Sequence, residues 1–247
     1  MTGWPLLLML IVAVFFTSLL SGVFGMVGGL LLLGALLVIL PPATAIAVQG
    51  VLQICANASR AWFSRDFIDW RILAISCLGL GLAAGALALV DYTPSLVTIT
   101  LVIGLMPIMV WLPRRWLALD ASRPSHALIS GALSGGLNLA VGVSGPTTDI
   151  FFIRTRMDRR TVIATKAAIQ VASHAVKVLF YWRSTLHLGG AEWAMVLVSA
   201  PFALFGTRAG NFILVRLTDA NFRRWTRWLV TAVGGFYLAK GIWLLVQ

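Results

Sequence analysis

Acidic side chains are scarce in this chain. Eight Asp and Glu occur in 247 residues, and charged residues of both signs make up only 11%, where a soluble domain carries about a quarter. Such a composition cannot supply a hydrated surface, which excludes an ordinary soluble domain. Cysteine is equally thin: Cys55 and Cys77 both lie inside apolar segments, so neither a disulfide framework nor a thiolate metal site is implied. No GxxxxGK[ST] loop occurs, so energy for any pumping must come from an ion, proton or solute gradient, or from another subunit. The first residues, MTGWPLLLMLIVAVFF, have no basic n-region and no small-residue cleavage site, and read as a retained first span.

What is abundant is apolar. Hydrophobic residues reach 60% and the net charge is +11. In a soluble domain that charge would point to nucleic acid, but here the basic residues cluster in short loops between apolar runs. That is the positive-inside pattern of a protein embedded in a lipid bilayer, and no nucleic-acid partner is expected.

Apolar runs cover 5–22, 30–40, 43–63, 70–90, 95–112, 125–142, 146–153, 160–182, 190–212 and 225–245. A membrane span needs about 20 apolar residues, so 30–40 and 146–153 are too short to cross alone. A continuous helix over 5–40 would be about 54 Å long, so the chain must break, and the glycines between Gly25 and Gly29 supply the place. If each broken segment is a hairpin that leaves by the face it entered, six crossings remain. Fourteen loop arginines, from Arg60 to Arg227, then share one side, against Arg183 and Lys240 on the other. Eight full crossings would divide the charges evenly, so the hairpin threading is preferred, with both termini outside.

The break occurs twice. SGVFGMVGG followed by TAIAVQGVLQICANASR is matched 117 residues later by NLAVGVSGP followed by TVIATKAAIQVASHAVK. Gly25 pairs with Gly142, Gly28 with Gly145, and Gln53 with Gln170. One hairpin plus three crossings per copy inverts the second repeat relative to the first. The expected fold is therefore an all-α integral membrane bundle of two inverted repeats, residues 1–113 and 125–247, joined by a cytoplasmic loop at 114–124, with about eight membrane segments. Trp62, Trp70, Trp111, Tyr181, Trp182, Trp225, Trp228 and Trp243 fall near predicted ends, as interfacial aromatics do. Gly81 and Gly85 form a GxxxG face expected to pack inside the bundle; a dimer contact is the alternative.

On the helix over 43–63, Gln49, Gln53, Asn57 and Arg60 share one face. Lys166, Gln170, His174 and Lys177 occupy the equivalent positions on its mate. Gln53 and Gln170 sit about 15 Å into their helices, near mid-bilayer, where amides need a partner or a wet cavity. Half-helix N-termini with glycines suit a small anion. The candidate binding set is Ser21, Gly25, Gly28, Gly29, Gln53, Asn57, Asn138, Gly142, Ser144, Gly145, Lys166, Gln170 and His174. Asp149 is expected to pair with Lys166 or a nearby arginine. No metal site or cofactor is expected, and the partners are a small anion, the lipid bilayer and, as an option, further copies of the chain.

The duplicated motif, with GALSGGLNLAVGVSGP and MDRRTVIATKAAIQ in the second copy, resembles the TauE/SafE-type sulfite exporters, the TSUP family of anion permeases. The resemblance implies a bacterial inner-membrane transporter of about eight segments, carrying sulfite, sulfonates or related anions. Two readings compete. Gly142-Val143-Ser144-Gly145 resembles the GxSG motif of rhomboid proteases, with His174 available as a base. A membrane partner protein that transports nothing is the third.

Overall fold

The computed structural model describes residues 3–24, 27–112, 119–152, 155–214 and 216–247. Every regular element among them is helical. In order they are α1 (Trp4–Phe24), α2 (Val27–Ile39), α3 (Pro42–Phe63), α4 (Trp70–Leu89), α5 (Leu96–Leu105), α6 (Pro107–Trp111), α7 (Pro124–Val141), α8 (Gly145–Phe152), α9 (Arg159–Phe180), α10 (Gly190–Leu214) and α11 (Asp219–Val246).

Local chemistry sets these boundaries. Pro42 and Pro124 occupy first-turn positions of α3 and α7, where a missing N–H costs nothing. Asp69, Ser95 and Asp158 cap α4, α5 and α9 by accepting from the N–H groups of Ile72, Thr98 and Arg160, which satisfies donors the helix leaves open. Gly142 ends α7 in the left-handed region, φ +83°, and its N–H returns to the Asn138 carbonyl at 3.0 Å, a geometry for which glycine is suited.

Each glycine break makes a helical hairpin. Gly28 of α2 lies against Thr17 and Ser21 of α1, so α2 folds back along α1. After α8 the chain likewise returns toward its origin, with the Ala121 N–H donating to the Phe151 carbonyl at 2.8 Å. α3 and α9 are both 22 residues long and pack against each other.

The two halves then exchange partners: α1 packs on α10, and α4 on α7. Both contacts are parallel and held close by small residues. A Cβ at Gly206 would lie 2.3 Å from the Phe15 carbonyl, and one at Gly210 2.1 Å from that of Leu19. A Cβ at Gly131 would lie 1.9 Å from the Ser76 carbonyl. Without a hydrophobic driving force between helices in lipid, this backbone approach supplies dispersion contact that larger residues would block. Gly81 and Gly85 take no part; both face outward with no atom within 4 Å of a Cβ. Their expected packing role falls instead to Gly79 on the neighbouring face of α4, set against Leu128 and Ala132.

Five described helices are long and apolar enough to cross a membrane: α1, α4, α9, α10 and α11. Their outward faces carry large apolar side chains such as Leu78, Leu89 and Phe205, a surface suited to lipid. Trp62, Trp70, Trp111 and Trp182 are exposed near helix ends, as expected. Tyr181 differs: it is buried and its hydroxyl donates to the Leu139 carbonyl at 2.8 Å, so it joins α9 to α7 and does not sit in an interfacial belt.

Candidate functional site

A cavity of about 860 Å³ lies where the two breaks meet. Ser21, Gly29, Gln53 and Asn57 line it from the first half. Asn138, Ser144, Gly145, Lys166, Gln170 and His174 line it from the second. α1 and α7 bring Ser21 and Asn138 to it at their last turns, α2 contributes Gly29, and α8 its first residue, Gly145. The long helices α3 and α9 present their polar stripes.

Two expected residues stand apart from that wall. Gly28 is a packing glycine, since a Cβ there would lie 1.9 Å from the Thr17 carbonyl; it closes the α1–α2 hairpin. Gly142 turns the chain behind the wall, packed against Leu33 and Ile46. Gly25 lies outside the described residues.

The α3 stripe is internally ordered. Gln49 Nε2 donates to the Gly29 carbonyl at 3.3 Å, tying α3 to α2. Asn57 Nδ2 donates to the Gln53 carbonyl at 2.9 Å and to its Oε1 at 3.4 Å. Gly29 has a positional reason to be glycine, because a Cβ there would come within 3.0 Å of Gln53 Nε2. On the opposite wall Asn138 Nδ2 donates to Ser173 Oγ at 2.7 Å.

The basic residues divide by function. Lys166 pairs with Asp149, and both line the cavity, so this cation arrives already neutralised. Lys177 does not line the cavity. It is fully buried behind it, donating to Gln49 Oε1, to Asn138 Oδ1 at 3.2 Å and to the Gly142 carbonyl at 3.0 Å. A buried ammonium requires such a shell of acceptors, and this one binds α3, α7 and α9 at one point. The cavity opens at the other end, where exposed Phe67 and Arg160 line it beside Ser64 and Leu217.

Sequence reasoning also passed over Arg60 and Ser134 as site residues. Both line the cavity. Among the described residues, four buried side-chain atoms lack a hydrogen-bond partner: Arg60 Nε, Ser134 Oγ, His174 Nδ1 and Thr207 Oγ1. The first three belong to the cavity wall. The signal for Arg60 was present in its place on the α3 stripe; Ser134 sits one helical turn before Asn138 on the same face of α7.

No hydrogen bond joins Ser144 to His174. The Ser144 carbonyl accepts from Thr148, and His174 Nδ1 is unpartnered, so a nucleophile and base are not assembled here.

Apolar helices gathered round an internal polar cavity define a multi-pass membrane protein. The chain belongs to the TauE/SafE sulfite exporter family, whose model, described as "Sulfite exporter TauE/SafE", matches residues 10–237. Membership makes it a membrane anion transporter and not an enzyme, which removes the protease reading. No curated protein and no solved structure matches the chain.

Proposed function

We propose that the protein is a secondary transporter for sulfite, an organosulfonate or a related sulfur-containing anion, bound between the two glycine breaks. Its two halves act as inverted repeats, each a hairpin that enters and leaves by one face plus three crossings, giving about eight membrane segments with both termini outside the inner membrane of a bacterium. The observation that carries the reading is the cavity itself, lined by equivalent residues from both halves: Gln53 with Gln170, Asn57 with His174, and Ser21 with Asn138. A site shared between inverted repeats near the midplane suits alternating access, in which one repeat rocks against the other. With the cavity open beside Phe67 and Arg160 and closed behind Gln49 by Lys177, the molecule stands open toward the arginine-rich side, the cytoplasm.

Thermal unfolding of the purified protein across sulfite, sulfate, thiosulfate, taurine and small carboxylates tests this. A ligand at a hundred times its dissociation constant adds about 2.7 kcal/mol. A sulfur anion should raise the midpoint, and Gln170→Ala should remove the rise. Stabilisation by carboxylates alone, or by nothing on the panel, would overturn the substrate class.

A further inference from the structure

Among the described residues four charged side chains line the cavity, and their pairing is unequal. Asp149 holds Lys166. Arg160 is exposed at the opening, its guanidinium 5.5 Å over the Phe67 ring. Arg60 has neither arrangement. Its Nε is buried without a partner, and no carboxylate among the described residues pairs with it. The residue is only partly exposed, and a guanidinium largely withdrawn from water with no counter-charge is costly to the folded protein.

Two neutral groups on the same wall share the deficit. Ser134 is 4% and His174 8% exposed, and Ser134 Oγ and His174 Nδ1 are both unpartnered. Buried polar atoms are normally satisfied, and exceptions call for an explanation. Here three exceptions converge on one cavity, from α3, α7 and α9.

We propose that Arg60 is the charge-recognition residue of this site, that Ser134 and His174 are its neutral hydrogen-bonding partners, and that the site takes an anion bearing one negative charge. The proposal rests on the anion-transport reading above and deepens it. Lys166 contributes no net charge, because Asp149 cancels it, and Lys177 is turned away behind Gln49. Among the described residues one partly buried, uncompensated guanidinium therefore faces the ligand, Arg160 standing exposed at the opening. It offers a planar fork of donors matched to two oxygens of a sulfonate or carboxylate. A doubly charged anion would leave one charge unneutralised in the same low-dielectric space.

Arg60→Gln and Arg60→Lys decide the matter, with methanesulfonate and sulfite buffered below its second ionisation, where it is singly charged bisulfite, as probes, exposed Arg71→Gln as a control, and both binding and anion-free thermal unfolding as readouts. Arg60→Gln should weaken methanesulfonate binding roughly ten- to hundredfold, the range of a lost charge-assisted hydrogen bond, and Arg60→Lys should recover part of it. The anion-free midpoint of Arg60→Gln should hold or rise, because an unneutralised charge has been removed. A residue that only braced the fold would lower that midpoint instead. Binding within threefold of wild type in Arg60→Gln, or a lowered anion-free midpoint in both variants, would overturn the assignment of Arg60 alone. Failure of wild type to bind either probe would overturn the sulfur-anion reading itself.

Discussion

Gln49 on α3 and Lys177 on α9 stand 128 residues apart in the chain and are joined by a hydrogen bond from Nζ to Oε1. The repeat sets Gln49 against Lys166 and Lys177 against Arg60. The contact equivalent to Gln49–Lys177 would therefore bring Lys166 to Arg60, two cations, and cannot form as a hydrogen bond. The two ends of the cavity are thus chemically unequal. One is fastened by an ammonium among neutral oxygens, and the other carries Arg60 beside the Lys166–Asp149 pair.

Lys177→Met should strand Gln49 Oε1 and the Gly142 carbonyl in a dry interior. Each orphaned acceptor costs about 1–3 kcal/mol, offset in part by relief of burying the ammonium. The expected outcome is a lowered unfolding midpoint together with loss of transport, measured by thermal unfolding in detergent and by flux into proteoliposomes. A midpoint equal to wild type would mean that Lys177 fastens nothing.

Asp149→Asn should have the opposite sign at the binding site. Releasing Lys166 adds a second uncompensated cation to the wall, and affinity for methanesulfonate should rise by about fivefold or more at low salt. Sulfate, with two charges, should gain more. Weaker binding of both anions in this variant would show that Asp149 orders the site through contacts other than its pairing with Lys166.

Glycines divide sharply between contact and surface. Gly131→Ala and Gly210→Ala drive a methyl into a carbonyl of the neighbouring helix and should lower the yield of folded protein or the midpoint severely. Gly81→Ala and Gly85→Ala meet nothing within 4 Å and should be neutral or slightly stabilising, by up to about 1 kcal/mol from helix propensity. Parallel expression of the four variants, with size-exclusion profiles, checks both halves of the contrast.

The threading has its own test. In a background with Cys55 and Cys77 replaced, Pro41→Cys lies in the turn between α2 and α3 and should react with a membrane-impermeant maleimide on intact cells. Reaction only after the inner face is exposed would reverse the orientation.

Helix positions were legible because the bilayer makes apolar run length a direct read-out of structure. The runs at 43–63, 125–142 and 146–153 fall within a residue of α3, α7 and α8 at either end. The cavity was legible because the same positions in two repeats carried polar groups too expensive to face lipid. What the sequence did not reveal is surroundings. It put Lys177 on the stripe, within about 20° of Lys166 round an ideal helix, but not among the Gln49, Asn138 and Gly142 oxygens that enclose its ammonium behind the wall. It likewise could not tell Gly81 and Gly85, which face outward, from Gly131, Gly206 and Gly210, which meet a backbone. Arg60 counted as a loop charge because it lies at a helix end, yet its Nε is buried in the cavity wall.

The exchange of partners between halves governs how the protein can be made. α1 leaves the ribosome well before the helix it packs against, α10, which follows roughly 190 residues later. At about 5–20 residues per second, α1 waits some tens of seconds in the membrane with its glycine face uncovered. Neither half can complete its packing alone, because α4 waits in the same way for α7. Synthesised as two separate polypeptides, the halves should be recovered only together, each serving as the scaffold on which the other settles.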